Sequence, residues 1–174
     1  MALDILAHLI GLAALAVTIA SLLHRSDRGL LVLNGLASVL WAANSLLLGA
    51  NSAAALGLLS ALRATSATAV QGRGVEARWR ACAVFLAATG VATAVTWQGW
   101  PSLLPAGASL CATVAFFCLA GVRLRLTLLL SWVLWLCTAW HFRAVEQCAG
   151  YTLAAGAAAI GTWRARQGAV RPPV

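Results

Sequence analysis

Long apolar runs follow one another along almost the whole chain, separated only by short polar segments. A helix rises 1.5 Å per residue, so a run of roughly 17–22 apolar residues can cross a hydrocarbon core of about 30 Å. Seven runs reach about this length, at residues 3–23, 30–48, 52–71, 78–97, 102–121, 124–142 and 147–164. The sequence therefore predicts an all-α membrane protein with seven transmembrane helices embedded in the lipid bilayer.

The composition agrees with a membrane location. Hydrophobic residues make up 62% of the chain and charged residues only 9%, against about 25% charged in soluble domains. The net charge of +8 comes from arginines. Because these fall at the ends of the predicted helices and form no single basic stripe, nucleic-acid binding is not expected.

Motifs that carry catalysis, metals or cofactors are not recognisable in the sequence. The five cysteines lie inside apolar runs without a C-x-x-C pair, so no disulfide framework, metal site or cofactor is predicted. There is no H-E-x-x-H motif, phosphate-binding glycine loop or pair of neighbouring carboxylates, and only four residues are acidic. We expect a protein that is not an enzyme.

Arginines alternate between the two sides of the predicted bundle. The turns after the first, third, fifth and seventh helices hold Arg25, Arg28, Arg73, Arg78, Arg80, Arg123, Arg125, Arg164, Arg166 and Arg171. The opposite side has only Arg143, while Arg63 lies within the third helix. Since cytoplasmic loops are enriched in Lys and Arg, the N-terminus is predicted outside and the C-terminus inside the cell.

Two parts of the chain repeat the same order of features. The tripeptide Val-Leu-Trp at 39–41 recurs at 133–135, and a serine precedes each (Ser38 and Ser131). A short turn and an Ala/Gly-rich helix follow each copy. This predicts two parallel three-helix repeats joined by an inverted linker helix, a 3+1+3 arrangement. The predicted units are residues 1–71, the linker 72–100, residues 101–166 and a cytoplasmic tail at 167–174.

Several short motifs resemble a known family. Residues 25–28, 46–50, 53–54, 59–63 and 131–135 are similar to the YgjV-like bacterial inner membrane proteins. This resemblance implies a multi-pass protein of the bacterial inner membrane, and it implies a location more than an activity.

The 3+1+3 arrangement is also similar to SWEET and PQ-loop transporters, which move small metabolites through a pocket between two three-helix repeats. The likeness is architectural, and a fold alone does not determine function. The first helix lacks the Pro-Gln pair of those transporters, and their asparagine on the third helix of each repeat is Ser60 here and an Ala/Gly stretch at 154–159. A sugar pocket of the familiar kind is therefore not implied.

Polar residues within a membrane span are costly, so those that share a helix face are candidates for function. In the second helix Asn34, Ser38, Trp41 and Ser45 recur at helical spacing, with Asn44 beside them. An amide and an indole could together orient a small polar ligand in a cavity. The alternative is that Asn44 bonds a neighbouring helix and Trp41 only packs.

The sixth helix repeats this pattern with Thr127, Ser131, Trp135 and Thr138. Hydroxyl groups can instead bond to a backbone carbonyl one turn earlier, which would be a purely structural role. The first helix carries Asp4 and His8 on one face, where they could relay protons or simply lie among lipid headgroups.

Arg63 is the one arginine predicted inside a span, about two turns from its end. It could hold an anionic group of a substrate, or its long side chain could extend to the headgroups. The candidate substrate-binding residues are Asn34, Ser38, Trp41, Asn44, Arg63, Ser131, Trp135 and Thr138.

Two functions remain open from the sequence. The first is a SWEET-like transporter or facilitator of a small polar metabolite, with its pocket between the second and sixth helices. The second is a non-transporting membrane protein that binds a partner protein or lipid through its apolar faces and cytoplasmic arginines. In either case the protein could form a homo-oligomer.

Overall fold

The computed structural model describes residues 2–23, 27–70, 73–119 and 121–170. These residues form seven α-helices and one 3₁₀ turn. The helices are α1 (Ala2–Leu23), α2 (Asp27–Leu47), α3 (Asn51–Val70), α4 (Val75–Val95), α5 (Leu103–Cys118), α6 (Gly121–His141) and α7 (Val145–Val170), with the 3₁₀ turn at Trp100–Ser102. The predicted all-helical architecture is confirmed for the described part of the chain.

Some helix ends differ from the predicted ones. α5 begins only at Leu103 and already ends at Cys118. A positive φ at Gly99 and the ring of Pro101 form the 3₁₀ turn that delays its start. α7 continues to Val170, beyond the predicted end at 164 and into the predicted tail. Arginine is a good helix former, so a basic segment does not by itself end a helix.

Among the described residues, three helical segments are long and apolar enough to cross a membrane by length and composition. They are Leu3–Ala20, Trp100–Cys118 and Val122–His141, and a shorter apolar segment is Gly35–Leu47. α3 and α7 fall outside this set, and each buries a polar side chain inside the bundle, Arg63 and Gln147 respectively. Such inward-facing groups lower the mean hydropathy of a helix without exposing polarity on its outer face.

The bundle has small residues inside and large apolar residues outside. Ala14, Ala108 and Ala115 are fully buried, whereas Leu58, Val91 and Leu130 are about half exposed or more. A water-soluble bundle would bury its large aliphatic side chains. Small residues at helix contacts and large ones on the outside are what a lipid environment favours.

The helices pack mostly against their neighbours in sequence. α1, α2 and α3 contact one another in order and are here called the N-terminal half, and α5, α6 and α7 do the same in the C-terminal half. α4 packs against α3 and α5. Contacts between α3 and α5 and between α1 and α7 join the halves at both sides and surround a central space.

The α2–α3 and α6–α7 turns share one hydrogen-bond pattern. At the first turn the amides of Gly49 and Ala50 donate to the carbonyls of Leu46 and Ser45, at 3.0 and 2.9 Å. At the second turn the amides of Arg143 and Ala144 donate to Trp140 and Ala139, at 3.1 and 2.9 Å. Both turns pass through a positive φ, 77° at Gly49 and 55° at Arg143. Every equivalent pair is 94 positions apart.

Candidate functional site

A cavity of about 110 Å³ lies in the middle of the bundle, and both halves contribute to its walls. A site for one water needs roughly 10–15 Å³ measured in this way, so the space can hold several waters or a small solute. Its walls combine aromatic rings with hydroxyl groups. The hydroxyl-bearing Ser and Thr residues in the walls are Thr18, Ser38, Ser45, Ser60 and Ser131.

Tyr151 of α7 is at the centre of the aromatic wall. Its ring centroid lies 6.0 Å from that of Trp41, 6.0 Å from that of Trp132 and 5.8 Å from that of Trp135. Aromatic pairs at such distances add to the stability gained from burial. Tyr151 therefore connects a tryptophan of the N-terminal half with two of the C-terminal half.

Four of the predicted site residues meet at this cavity. Ser38 and Trp41 line it from α2, and Ser131 and Trp135 line it from α6. The Trp41 indole donates to the Thr18 hydroxyl at 3.0 Å, and the Ser131 hydroxyl donates to the Ala108 carbonyl at 2.8 Å. The fold thus brings together, at one cavity, four residues that the sequence pattern selected from distant segments. Their binding of a ligand stays a prediction.

Three other predicted residues are not among the residues that line the cavity, and the side chain of a fourth is not described. Thr138 is buried and donates to the Leu134 carbonyl at 2.9 Å, which is the structural alternative for a threonine in a helix. Asn44 and Arg63 are buried in polar networks of their own. Asn34 belongs to α2, and its side chain lies outside the described part of the structure.

Asn44 belongs to a hydrogen-bonded cluster that joins α1, α2 and α7. Its amide donates to the Ala7 carbonyl at 2.7 Å and accepts from the Gln147 amide at 2.7 Å. Gln147 also donates to the Ser45 hydroxyl at 2.9 Å. Buried amides need such partners, so this interhelical role matches the alternative that the sequence left open for Asn44.

A contact between α1 and α7 lies next to these residues. His8 Nδ1 of α1 is 2.6 Å from Glu146 Oε1 of α7. Asp4, on the same face of α1, has an interaction of its own. The two roles considered for Asp4 and His8, a proton relay or a position among lipid headgroups, stay predictions. We call these residues the His8–Gln147 cluster, which consists of His8, Asn44, Ser45, Glu146 and Gln147. The cluster closes the bundle at the end where α1 and α7 begin and α2 ends.

Arg63 is 3% exposed and lies against α5. Its Nη1 donates to the Ser109 carbonyl at 3.1 Å, the Ser109 hydroxyl at 3.0 Å and the Thr113 hydroxyl at 3.2 Å. Its Nη2 donates to the Ser60 hydroxyl at 2.9 Å, and the Phe116 ring centroid lies 6.0 Å from its Cζ. Since the side chain is enclosed, it does not extend to the surface as one of the two predictions had it.

The cavity walls repeat at the same spacing as the turns. Pairs of wall residues 94 positions apart are Thr18 and Ala112, Ala37 and Ser131, Ser38 and Trp132, Trp41 and Trp135, Gly57 and Tyr151, and Ser60 and Ala154. Burial follows the same spacing, since Trp41 and Trp135 are 7% and 6% exposed and Asn44 and Thr138 are 0% and 1% exposed.

Sequence reasoning missed Tyr151, Gln147 and Trp132. Tyr151 is the only tyrosine in the chain, and a hydroxyl in an Ala-rich helix was a signal that could have identified it. Gln147 was not selected because it follows Glu146 in the first turn of a helix, where polar residues are common. In the described ranges no group of three His, Cys, Asp or Glu side chains could hold a metal ion.

A family model for bacterial inner membrane proteins, Imp-YgjV, matches residues 5–163. The chain belongs to the YgjV family. The match spans every residue that lines the cavity, so the family model includes the candidate site. Neither a curated protein nor a solved structure matches the chain.

Membership in the YgjV family identifies the protein as an integral protein of the bacterial inner membrane, as the resemblance had implied. The family's description gives this location and no substrate. What the cavity does must therefore be argued from the residues that form it.

Proposed function

We propose that this YgjV-family protein binds a small polar metabolite in the central cavity and passes it across the inner membrane, in the manner of a SWEET-like facilitator. The observation that carries the proposal is a central cavity whose walls come from matched positions of both halves. A protein that served only as a membrane anchor would have no need for such a space, and small-molecule sites are typically concave, largely apolar and supplied with a few polar groups.

The matched walls support the predicted 3+1+3 repeat. The common spacing of the turn hydrogen bonds and of six pairs of wall residues is expected if α1–α3 and α5–α7 are two copies of one unit, with α4 as linker. In transporters built from such parallel repeats the substrate lies between the repeats near the middle of the membrane. A cavity with walls from α1–α3 and from α5–α7 is consistent with such an arrangement.

In this proposal all seven helices span the membrane, with the N-terminus outside. The arginine distribution supports that orientation, since ten of the twelve fall on one side. The burial of Arg63 and Gln147 supports spans by α3 and α7, because their polar groups face protein and not lipid. The His8–Gln147 cluster would then lie on the outer side.

Passage requires the cavity to open alternately to each side. Opening on the outer side would separate α7 from α1 and α2, which breaks the bonds from Gln147 to Asn44 and Ser45 and the contact between His8 and Glu146. These are a few polar contacts between side chains. Such contacts suit a gate on this side of the cavity, because α7 can separate from α1 and α2 while the apolar packing within each half is kept.

The test is ligand-dependent thermal unfolding of the protein purified in detergent, against a panel of sugars, amino acids, nucleosides, vitamins and small organic acids. A ligand at 100 times its Kd stabilises the native state by about 2.7 kcal/mol. Ala112→Leu fills the cavity from α5, and Ala87→Leu, on the exposed face of α4, is the matched control. The compound that stabilises the wild type is then assayed for uptake into proteoliposomes.

We expect stabilisation by one class of compound, lost in Ala112→Leu and retained in Ala87→Leu, together with uptake of that compound. No stabilisation by any class, or stabilisation that Ala112→Leu leaves unchanged, would contradict the proposal. Binding without uptake would favour the second function, a non-transporting membrane protein for which the cavity solute is a structural or regulatory ligand of a partner- or lipid-binding surface.

A further inference from the structure

Arg63 carries a positive charge into the interior of the bundle. The side chain is 3% exposed, and its guanidinium forms no ion pair with any carboxylate of the described residues. A charge withdrawn from water is costly unless it is paired or serves a function. Its burial is therefore unexplained by packing alone.

The partners of Arg63 are all neutral. The hydroxyls of Ser60, Ser109 and Thr113 and the Ser109 carbonyl accept its hydrogen bonds, while its Nε is buried and has no partner in the structure. Neutral acceptors satisfy the geometry of N–H groups but leave the net charge uncompensated. In surroundings of low polarity such a charge acts over several ångströms.

The guanidinium lies just behind the cavity wall. Ser60 and Phe116 line the cavity, and the former is 2.9 Å from Nη2 while the ring centroid of the latter is 6.0 Å from Cζ. On α3 the wall residues Ala53, Gly57, Ser60 and Ala64 form one stripe at helical spacing, and Arg63 is next to it. The residues that line the cavity include no ionisable acid or base other than Tyr151, and Arg63 is a charge that contacts its wall, through Ser60 and Phe116.

The walls also offer donors for an anion. Within the described residues, no group accepts a hydrogen bond from the indole N–H of Trp132 or Trp135 or from the Tyr151 hydroxyl. An aromatic wall with free N–H and O–H groups suits a planar carboxylate attached to an apolar body. The volume of about 110 Å³ is below the 150 Å³ that holds benzene in an engineered cavity, so the ligand must be small.

We propose that the cavity selects small organic monocarboxylates over neutral and cationic solutes of the same shape, because Arg63 makes its interior electropositive. This rests on the proposed function, since it names the class of solute that the cavity takes. It requires no metal, cofactor or covalent step.

The experiment compares isosteric pairs of small probes, acetate with acetamide and propionate with propionamide. Their affinities are measured by quenching of tryptophan fluorescence in the purified full-length protein, since three tryptophans line the cavity. The wild type is compared with Arg63→Met, which removes the charge and keeps most of the length, and with Arg63→Lys, which keeps the charge. Ala112→Leu reports whether a probe occupies the cavity at all.

We expect each carboxylate to bind the wild type at least about tenfold more tightly than its amide. This preference should fall to less than about twofold in Arg63→Met, persist in part in Arg63→Lys, and weaken with added salt less than a surface site would. The wild-type comparison needs no variant, so a folding defect in Arg63→Met would not hide the outcome.

Equal affinity for acid and amide in the wild type, with both lost in Ala112→Leu, would overturn the anion preference and leave the cavity as a binding site. Absence of binding for all four probes and for the wider panel would overturn this inference and the proposed function together. A carboxylate preference that survives unchanged in Arg63→Met would also overturn it, because the selectivity would then come from another group.

Discussion

The α2–α3 and α6–α7 hairpins have the same turn geometry, and each has a buried tryptophan at the equivalent position. They differ in the side chains that their second helices bury. Ala53 of the first corresponds to Gln147 of the second, and Gly57 corresponds to Tyr151. The turn geometry is shared, while the side chains that reach across to the other half are not. The larger polar residues are both on α7, so at these matched positions it is the C-terminal half that reaches across to the other half.

Arg63, by contrast, is a large polar residue of the N-terminal half that has no equivalent in the C-terminal half. The position 94 residues later is Ala157, so the charge belongs to the N-terminal half alone. Both halves supply wall residues at the common spacing of 94 positions, but only the N-terminal half brings a buried cation to the cavity wall. The comparison teaches that packing in this bundle depends on small residues and tryptophans found at equivalent positions of both halves. The charge and the larger polar side chains near the cavity come from residues without such an equivalent.

The largest expected effect comes from removing the residue that joins the aromatic wall. Tyr151→Ala deletes three ring contacts and enlarges the cavity, and large-to-small core changes of this kind cost about 3–5 kcal/mol. The expected result is a strong drop in unfolding temperature in detergent. Tyr151→Phe keeps the rings and should stay within about 1 kcal/mol of the wild type, so an equal loss in both variants would refute a packing role for the ring.

A smaller effect is expected where α7 is joined to α1 and α2 by hydrogen bonds. Gln147→Ala installs the residue of the matched position in the first half, but it removes a partner of the buried Asn44 and Ser45. Leaving buried polar groups with fewer partners should lower the unfolding free energy by about 1–3 kcal/mol. Thr152→Ala on the exposed face of the same helix is the control. If the two variants unfold alike, the cluster does not hold the halves together.

The smallest effect on stability is expected at Arg63. Ser60 and Thr113 also donate to the carbonyls of Leu56 and Ser109, and Thr89 is 3.2 Å from the Ser109 hydroxyl, so each acceptor keeps a partner when the guanidinium is removed. Because desolvating the charge is costly, Arg63→Met should unfold within about 1 kcal/mol of the wild type or at a higher free energy. A loss of several kcal/mol in chemical unfolding would mean that Arg63 is a structural residue.

Much of the fold was predictable because it depends on local properties of the chain. Helix positions follow from the lengths of apolar runs and from turns such as Gly49–Ala50, and these are encoded within a few residues. The pairing of Trp41 with Trp135 at one cavity was predictable from a recurring tripeptide. The site was predicted less completely, since Asn44, beside the α2 stripe, and Thr138, in the α6 stripe, do not line the cavity.

The sequence by itself determined that the chain enters the membrane and where its helices lie along the chain. Only the tertiary structure decided that Tyr151 contacts three tryptophans, that Gln147 satisfies Asn44 from 103 positions away and that Arg63 is enclosed beside a cavity. The physical reason is that helices apolar on all sides carry little information about their rotation. Their facing residues are chosen by close packing and by the need of buried polar groups to find one another.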